Sequence, residues 1–256
     1  MAVLVDSVCG KLRYRVFDTR DAMGECAGSE AAAKLKELLK EKEEVNVMFA
    51  AAPSQNETLR TLMADPDIEW ERVNGFHMDE YVGLSEDHPA GFRNFLKQAV
   101  FSKKNFKSVN LINGNAEDAE QEAERYGALL KSHPLDICVL GVGENGHIAF
   151  NDPAVADFKD PKLAKVVELD ETCRMQQVHD GCFAELSEVP THALTVTIPG
   201  LCGAAWMYCS VPAVTKAWAI DRMIHGEISE ECPCTILREQ PHAFLYTDKA
   251  AGVSLL

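Results

Sequence analysis

The chain has 256 residues, of which 46% are hydrophobic and 25% are charged, a composition that is typical of a folded globular protein and excludes collagen-like or disordered chains. With 25 Lys and Arg against 40 Asp and Glu, the formal net charge is −15 at pH 7. A nucleic-acid-binding surface needs an excess of basic groups, so we expect no nucleic-acid partner. An anionic small molecule can still bind where cations gather locally.

Strands and helices alternate along the sequence. Short apolar runs predict buried strands at 45–50, 73–78, 109–112, 135–142, 194–198, 205–211 and 243–246. Helical spacing predicts helices at 28–44, 53–63, 90–101, 116–131 and 213–225. Because apolar strands separated by helices form mostly parallel sheets covered on both faces, we expect an α/β fold. The simplest form is a single Rossmann-like domain over residues 1–256.

The cysteines and the apolar runs bear on compartment and cofactors. The nine cysteines are an odd number, and neither a signal-peptide pattern nor an apolar run long enough to span a membrane is seen. We therefore expect reduced thiols and a cytoplasmic protein without a membrane partner. Cys232-Pro-Cys234 is the one close pair. It would suit a redox or metal site, but no second pair or histidine cluster completes the spacing of a zinc site, so we expect neither metal nor cofactor.

Ligands of parallel α/β sheets bind beyond the carboxyl ends of the strands, and the first such end is 50–56, Ala-Ala-Ala-Pro-Ser-Gln-Asn. A turn of small residues that leads into a helix offers free N–H groups and a favourable dipole to an anion. Ser54 could add a hydroxyl group. The alternative is an ordinary turn in which Ser54 caps the helix.

The second strand end carries Asp79 and Glu80, which follow the predicted strand 73–78 at once. A carboxylate in a crevice can act as a general base. The alternative is a pair of acidic residues in a solvated loop.

The third strand end is the glycine-rich segment 141–153, in which Asn145 and Asp152 flank His147. Glycines after a buried strand allow a ligand to approach the backbone closely, and the flanking groups could orient an imidazole for acid–base work. The alternative is a structural histidine. Arg174 and Lys216 are cations that could balance an anion, although Lys216 could equally be a surface lysine near a helix start.

These segments together resemble the glucosamine-6-phosphate deaminase (isomerase) family, which shares a fold with 6-phosphogluconolactonases. Residues 78–84 read Met-Asp-Glu-Tyr-Val-Gly-Leu, with His88-Pro89 following, and are similar to the MDEYVGL block of the family. Residues 113–116 resemble its NGNA block, and 141–153 resemble its GVGxDGHIAFNEP block. The likeness runs from about residue 45 to residue 246.

The resemblance implies roles for particular residues. Asp79 matches the general base that moves a proton between C2 and C1 of the opened sugar, and His147 matches the ring-opening histidine. Asp152 and Asn145 stand where acidic residues orient that histidine. Three residues match phosphate-contacting positions: Ser54, Arg174 and Lys216.

The resemblance also implies an activity: conversion of glucosamine 6-phosphate and water to fructose 6-phosphate and ammonia, in N-acetylglucosamine catabolism. The expected partner is a hexosamine phosphate, and a homo-oligomer is possible. Two departures keep alternatives open. Asn145 replaces the aspartate of the family and cannot carry its charge, and the 50–54 turn lacks the glycines and threonines of the family. A 6-phosphogluconolactonase-like hydrolase and a catalytically weak sugar-phosphate-binding protein are the alternatives.

Overall fold

The computed structural model describes residues 2–256, which form eleven strands and seven α-helices. The strands are β1 (Val3–Cys9), β2 (Leu12–Phe17), β3 (Val45–Phe49), β4 (Val73–His77), β5 (Asp79–Tyr81), β6 (Ser108–Asn110), β7 (Ile137–Leu140), β8 (Ala164–Glu168), β9 (His192–Val196), β10 (Trp206–Val211) and β11 (Ala243–Asp248). The helices are α1 (Arg20–Glu41), α2 (Asn56–Ala64), α3 (Phe92–Leu96), α4 (Ala119–Ser132), α5 (Glu171–His179), α6 (Ile198–Cys202) and α7 (Ala217–His225).

Eight of the strands form one sheet in the order β1-β2-β11-β10-β7-β3-β4-β6. Every neighbouring pair in it is parallel except the β1–β2 hairpin at one edge. A smaller antiparallel sheet, β5-β9-β8, stands beside it. The predicted α/β fold with a mostly parallel sheet is confirmed.

The core lies on both faces of the large sheet, because successive side chains of a strand point to opposite faces. Val47 and Phe49 of β3 pack with α1 and α2 on one face. Met48, between them, packs on the other face with buried residues of α4 and α7 such as Tyr126 and Ile220. The central strands are therefore apolar at consecutive positions, as their sequences predicted.

Some elements differ from the sequence predictions. The β1–β2 hairpin, β8, α5 and α6 were not predicted, and the predicted strand 194–198 is β9 of the smaller sheet. Helix α1 begins at Arg20 rather than at residue 28, since the Thr19 side chain caps it by accepting from the Ala22 N–H. Its Gly24 contacts α2 so closely that a Cβ atom there would lie 2.2 Å from the Glu57 Cβ.

The parallel arrangement places the functional segments together. Strands β3, β4 and β7 are parallel neighbours, so the segments that follow them, beginning at Ala50, Met78 and Gly141, leave the sheet at the same edge. No helix among residues 2–256 has the length and apolar character needed to cross a membrane.

Tyr126 of α4 fixes the end of β4, two residues before Asp79. Its buried hydroxyl donates to the His77 carbonyl (2.7 Å) and accepts from the His77 N–H (3.2 Å).

We expect Tyr126→Phe to lower the free energy of unfolding by about 1–3 kcal/mol, because it leaves buried backbone groups without a partner. Urea denaturation of both proteins measures this difference in free energy. Tyr14→Phe is the control, since the Tyr14 hydroxyl makes no hydrogen bond within the described chain, and an equal loss in both variants would contradict the account.

Candidate active site

A cleft opens at the carboxyl edge of the large sheet, the edge at which parallel α/β sheets bind their ligands. It is lined by segments that follow β3, β4 and β7 and by residues of α3 and α5: Ala50, Ala51, Ala52, Ser54, Gln55, Met78, Asp79, Phe92, Gly141, Val142, Gly143, His147, Ala149, Phe150, Gln176 and Gln177. Three residues that the sequence singled out, Ser54, Asp79 and His147, thus face one cleft.

Asp79 is a buried carboxyl group at the wall of this cleft, with 7% of its surface exposed. It begins β5 and not a solvated loop, so that alternative is wrong for both Asp79 and Glu80. The side chain of Asp79 accepts no hydrogen bond from residues 2–256. Burial, and then the neighbouring charge of Glu80, raise the pKa of Asp79 well above its usual range. A carboxyl group whose pKa is raised is a stronger base than an ordinary carboxylate, which suits it to accept a proton and return it.

Glu80 points away from the cleft into a cradle of backbone donors. It accepts from the N–H groups of Tyr81, Phe92 and Arg93 at 2.8–3.1 Å. Burial raises the pKa of Glu80 although these hydrogen bonds lower it. Glu80 therefore anchors the start of α3 against β5, and Asp79 alone of the acidic pair lines the cleft.

His147 is held by two side chains at its Nδ1 atom. Asn145 Oδ1 lies 2.8 Å from Nδ1 and Asp152 Oδ1 lies 2.9 Å from it. Since both atoms are acceptors, Nδ1 carries a hydrogen, and Nε2 is left to exchange a proton with a ligand. The predicted orienting pair, Asn145 and Asp152, is therefore in contact with the imidazole.

Asp152 is buried among hydrogen-bond donors, and its pKa is shifted in the opposite direction to that of Asp79. Burial alone would raise its pKa, but attraction to His147 and hydrogen bonds from His147, Asn145 and the Asp170 N–H together lower the pKa of Asp152 below its usual value. Asp152 thus stays ionised and accepts the hydrogen bond from His147 Nδ1.

Gly143 allows the imidazole to lie flat against the turn. A Cβ atom at this position would lie 2.2–2.4 Å from three ring atoms of His147, so any larger residue would displace the ring. The segment is further fixed to β9, since the Phe150 N–H donates to the Thr195 hydroxyl (3.0 Å). Ala149, which lines the cleft, has the left-handed φ of 48°, a strained conformation for a residue with a side chain.

The 50–56 turn presents Ser54 to the cleft. Its Oγ atom accepts from Gln55 Nε2 (3.2 Å), which also donates to the Ser210 carbonyl (3.0 Å). Ser54 lies inside a 3-10 turn, Pro53–Gln55, whose N-cap is Ala52, so the interpretation of Ser54 as a helix cap is wrong. The backbone N–H groups of Ala51 and Ala52 donate to no acceptor within residues 2–256 and are available to an anion.

Lys216 is a buried cation, with 4% of its surface exposed, and it is not the surface lysine of the alternative interpretation. Within the described chain its Nζ atom has no hydrogen-bond partner. Burial lowers the pKa of Lys216, and the charges of Asp180 and Glu144 oppose this. Lys216 does not line the cleft itself.

The guanidinium group of Arg174 makes its contacts within the protein and not at the cleft. Its guanidinium group donates to the carbonyls of Leu186 and Val189, and Arg174 does not line the cleft. Phosphate binding by Arg174 and by Lys216 stays a prediction.

Several polar residues of the site were missed by the sequence analysis. Gln176 and Gln177 of α5 line the cleft, and Gln176 Oε1 accepts from the Glu144 N–H (2.9 Å). Asp170 caps α5 and contacts Asn145. The sequence signal was present, because Asp170-Glu171-Thr172 is a helix start with an acidic first turn and Gln176 follows one and a half turns later, but we had predicted no helix there.

Metal ligands are few in this region. His147, Asp152 and Cys173 each bring one potential ligand atom within 4.8 Å of the others, the one such group in residues 2–256. All nine cysteines lie in this range and are free thiols, and Cys232 Sγ lies 3.6 Å from Cys234 Sγ. Within this group, His147 Nδ1 and Asp152 Oδ1 lie 2.9 Å apart as a hydrogen-bonded pair.

Fold and site together define an α/β protein whose cleft is lined by a buried carboxyl group and an oriented imidazole. Residues 18–245 match the sequence profile described as glucosamine-6-phosphate isomerases/6-phosphogluconolactonase. The chain belongs to this family, and the resemblance found in its sequence is confirmed.

Individual relatives agree with this assignment. A glucosamine-6-phosphate deaminase of Listeria innocua is 36% identical over 226 residues, which cover 88% of this chain and 94% of that protein. The deaminase of Streptococcus sanguinis is 35% identical over 222 residues, covering 86% and 92%.

Solved structures show the same fold. A monomeric glucosamine-6-phosphate deaminase superposes with a TM-score of 0.84 at 28% identity, covering 96% of this chain and 99% of that one. A 6-phosphogluconolactonase of Shewanella baltica superposes with a TM-score of 0.75 at 15% identity, with 96% and 99% covered. At that identity the likeness shows the fold alone.

The raised pKa of Asp79 has a consequence for stability. The folded protein holds this proton to a higher pH than the unfolded chain does, so the contribution of Asp79 to stability is lost as the pH rises through its folded pKa. Asn stays neutral throughout. We therefore expect Asp79→Asn to raise the melting temperature above that of the wild type at pH 8, with the difference vanishing at pH 4.

Calorimetry at both pH values makes this measurement. Asp67→Asn is the control, since Asp67 is exposed and its replacement should change neither value. If the melting temperature of Asp79→Asn equals the wild-type value at pH 8, the pKa of Asp79 is not raised in the folded protein.

Proposed function

We propose that this protein is a glucosamine-6-phosphate deaminase, which converts glucosamine 6-phosphate and water to fructose 6-phosphate and ammonia. The observation that carries the proposal is that Asp79 and His147 face one cleft in a chain that belongs to this enzyme family. An aldose–ketose conversion needs a base at carbon and a proton carrier at oxygen, and these two residues supply both.

The mechanism begins with ring opening. The closed sugar must receive a proton on its ring oxygen and lose one from its C1 hydroxyl. The imidazole of His147 relays this proton through Nε2, because Nδ1 is held by Asn145 and Asp152. Asp152 Oδ1 keeps the hydrogen on Nδ1, so Nε2 can take up the proton from the C1 hydroxyl and pass it to the ring oxygen.

Proton transfer between carbons follows. Once C1 is a carbonyl, the C2 proton is acidic enough for the carboxylate of Asp79 to remove it. The ammonium group of the substrate gives a proton to O1 in the same step, which yields a neutral enolamine. Asp79 returns the proton to C1, leaving an iminium group at C2. Water adds to C2, and the resulting carbinolamine releases ammonia to give the ketone. The low exposure of Asp79 keeps water from competing for the transferred proton.

The phosphate group is the part of the substrate that most needs a counter-charge. The free N–H groups of Ala51 and Ala52 and the Ser54 hydroxyl are the donors at the cleft that support phosphate binding. Lys216, which lies outside the cleft lining, adds a buried ammonium group without a partner in the described chain. Gln176 and Gln177 are amide groups suited to the sugar hydroxyls. A homo-oligomer stays a prediction.

Asp79→Asn tests the catalytic assignment. We expect ammonia release from glucosamine 6-phosphate, followed with a coupled glutamate dehydrogenase assay, to fall by about 10²–10⁴-fold in kcat, because the amide cannot accept the C2 proton. Asp67→Asn should retain wild-type activity. A folded wild-type protein that releases no ammonia would refute the proposed function, and hydrolysis of 6-phosphogluconolactone in the same preparation would favour the lactonase alternative.

Lys216→Met tests the phosphate contact. The methionine fills the space of the lysine without its charge, so we expect KM for glucosamine 6-phosphate to rise by about 10–100-fold, the loss of one charge-assisted hydrogen bond. Because the substitution removes a buried, unpartnered cation, the protein should not become less stable. Lys40→Met on the far surface of α1 is the control, and an unchanged KM in Lys216→Met would remove Lys216 from the phosphate site.

A further inference from the structure

The side chain of Asn145 lies at the centre of a network of four polar groups. Its Oδ1 atom is 3.0 Å from the backbone nitrogen of His147 and 2.8 Å from Nδ1 of the same residue. Its Nδ2 atom is 3.0 Å from Asp152 Oδ1 and 3.0 Å from Asp170 Oδ2. The network therefore joins the imidazole to two carboxylates through one amide group.

The network fixes which way the amide faces. A backbone N–H can only donate, and an ionised carboxylate can only accept, so the oxygen of Asn145 must face His147 and its NH₂ group must face Asp152 and Asp170. Both amide hydrogens then have a carboxylate acceptor. If the amide of Asn145 were rotated, its oxygen would face the carboxylates of Asp152 and Asp170, and its NH₂ group would face the backbone N–H of His147.

Asp170 is placed to enforce this orientation. One of its oxygens accepts from the Cys173 N–H (2.6 Å) and caps α5, and the other accepts from Asn145. Its own N–H donates to Asp152 Oδ2 (3.3 Å). Asp170 thus connects the rigid start of a helix to the amide that contacts the imidazole.

We propose that Asp170 is a positioning residue, which acts through Asn145 to hold His147 as the tautomer with hydrogen on Nδ1 and a free Nε2 facing the cleft. Asp152 alone leaves one amide hydrogen of Asn145 without an acceptor, and the amide could then turn. Its NH₂ group would face Nδ1 as a donor and compete there with the acceptor Asp152 Oδ1. With Asp170 present, both hydrogens are bound. The consequence for rate rests on the proposed function, whereas the consequence for the imidazole does not.

Asp170→Asn separates this role from helix capping. Asparagine is as good an N-cap as aspartate, so the α5 cap is kept. The second oxygen, however, becomes an NH₂ group that faces the NH₂ group of Asn145, and the amide of Asn145 loses its enforced direction. Asp118→Asn is the matched control, because Asp118 caps α4 in the same way by accepting from the Gln121 N–H (3.1 Å).

The readout is the ¹⁵N spectrum of the imidazole, assigned by comparison with His147→Gln. We expect a single Nδ1–H tautomer in the wild type and in Asp118→Asn, and a mixture of tautomers in Asp170→Asn. The value of kcat/KM for ammonia release should fall by about 10–100-fold in Asp170→Asn and stay unchanged in Asp118→Asn. Should Asp170→Asn fail to fold, Asp170→Ser keeps a capping oxygen without the second acceptor and takes its place.

A wild-type tautomer signal in the folded Asp170 variant would overturn the positioning role, whatever the activity. Absence of ammonia release in the wild type would instead refute the proposed function and leave the spectroscopic test intact, so the two failures are distinguishable.

Discussion

The parallel pairing of β3, β4 and β7 is the constraint on which the site depends. Parallel strands end at the same edge of the sheet, so residues 50–56, 78–81 and 141–152 meet there although some ninety positions separate the first from the last. No local interaction could bring a carboxylate from one segment and an imidazole from another to one cleft. The apolar core on both faces of the sheet, which stabilises this pairing, therefore also fixes the chemistry at its edge.

Two buried carboxylates at that edge have opposite electrostatic environments. Burial without a donor from the described chain, and then the charge of Glu80, raise the pKa of Asp79. Asp152 is surrounded by donors and the imidazole, which lower its pKa. Titratable groups whose environments separate their pKa values in this way divide acid–base roles between them. Asp79 is suited to exchange protons with a substrate, and Asp152 is suited to remain charged beside His147.

The sequence predicted the fold class and the convergence of Asp79, His147 and Ser54, because apolar strand patterns and strand-end positions are local signals. It did not predict that Glu80 turns into a cradle of backbone N–H groups, since adjacent residues in β5 point to opposite sides. It matched Lys216 to a phosphate-contacting position but left a surface lysine as the alternative, because burial of a lysine depends on tertiary contacts.

Three further features of the site could not be predicted from local sequence patterns. Helix α5, whose Gln176 and Gln177 line the cleft, was not predicted because its strongly polar start shows no clear apolar periodicity. The contact between Asn145 and Asp170 joins residues 25 positions apart. The sequence therefore indicated that Asn145 could orient an imidazole, but not which residue directs its amide group. The unusual 50–54 turn retains free N–H groups without glycines, because small alanine side chains leave its backbone open.

The most direct test is a crystal structure of Asp79→Asn with glucosamine 6-phosphate bound. The account predicts that the sugar occupies the cleft, with the side chain of residue 79 beside C1 and C2, His147 Nε2 within about 3.2 Å of the ring oxygen, and the phosphate group on the 50–56 turn. A sugar phosphate bound at any other place on the protein, or a cleft that stays empty at saturating ligand, would contradict it.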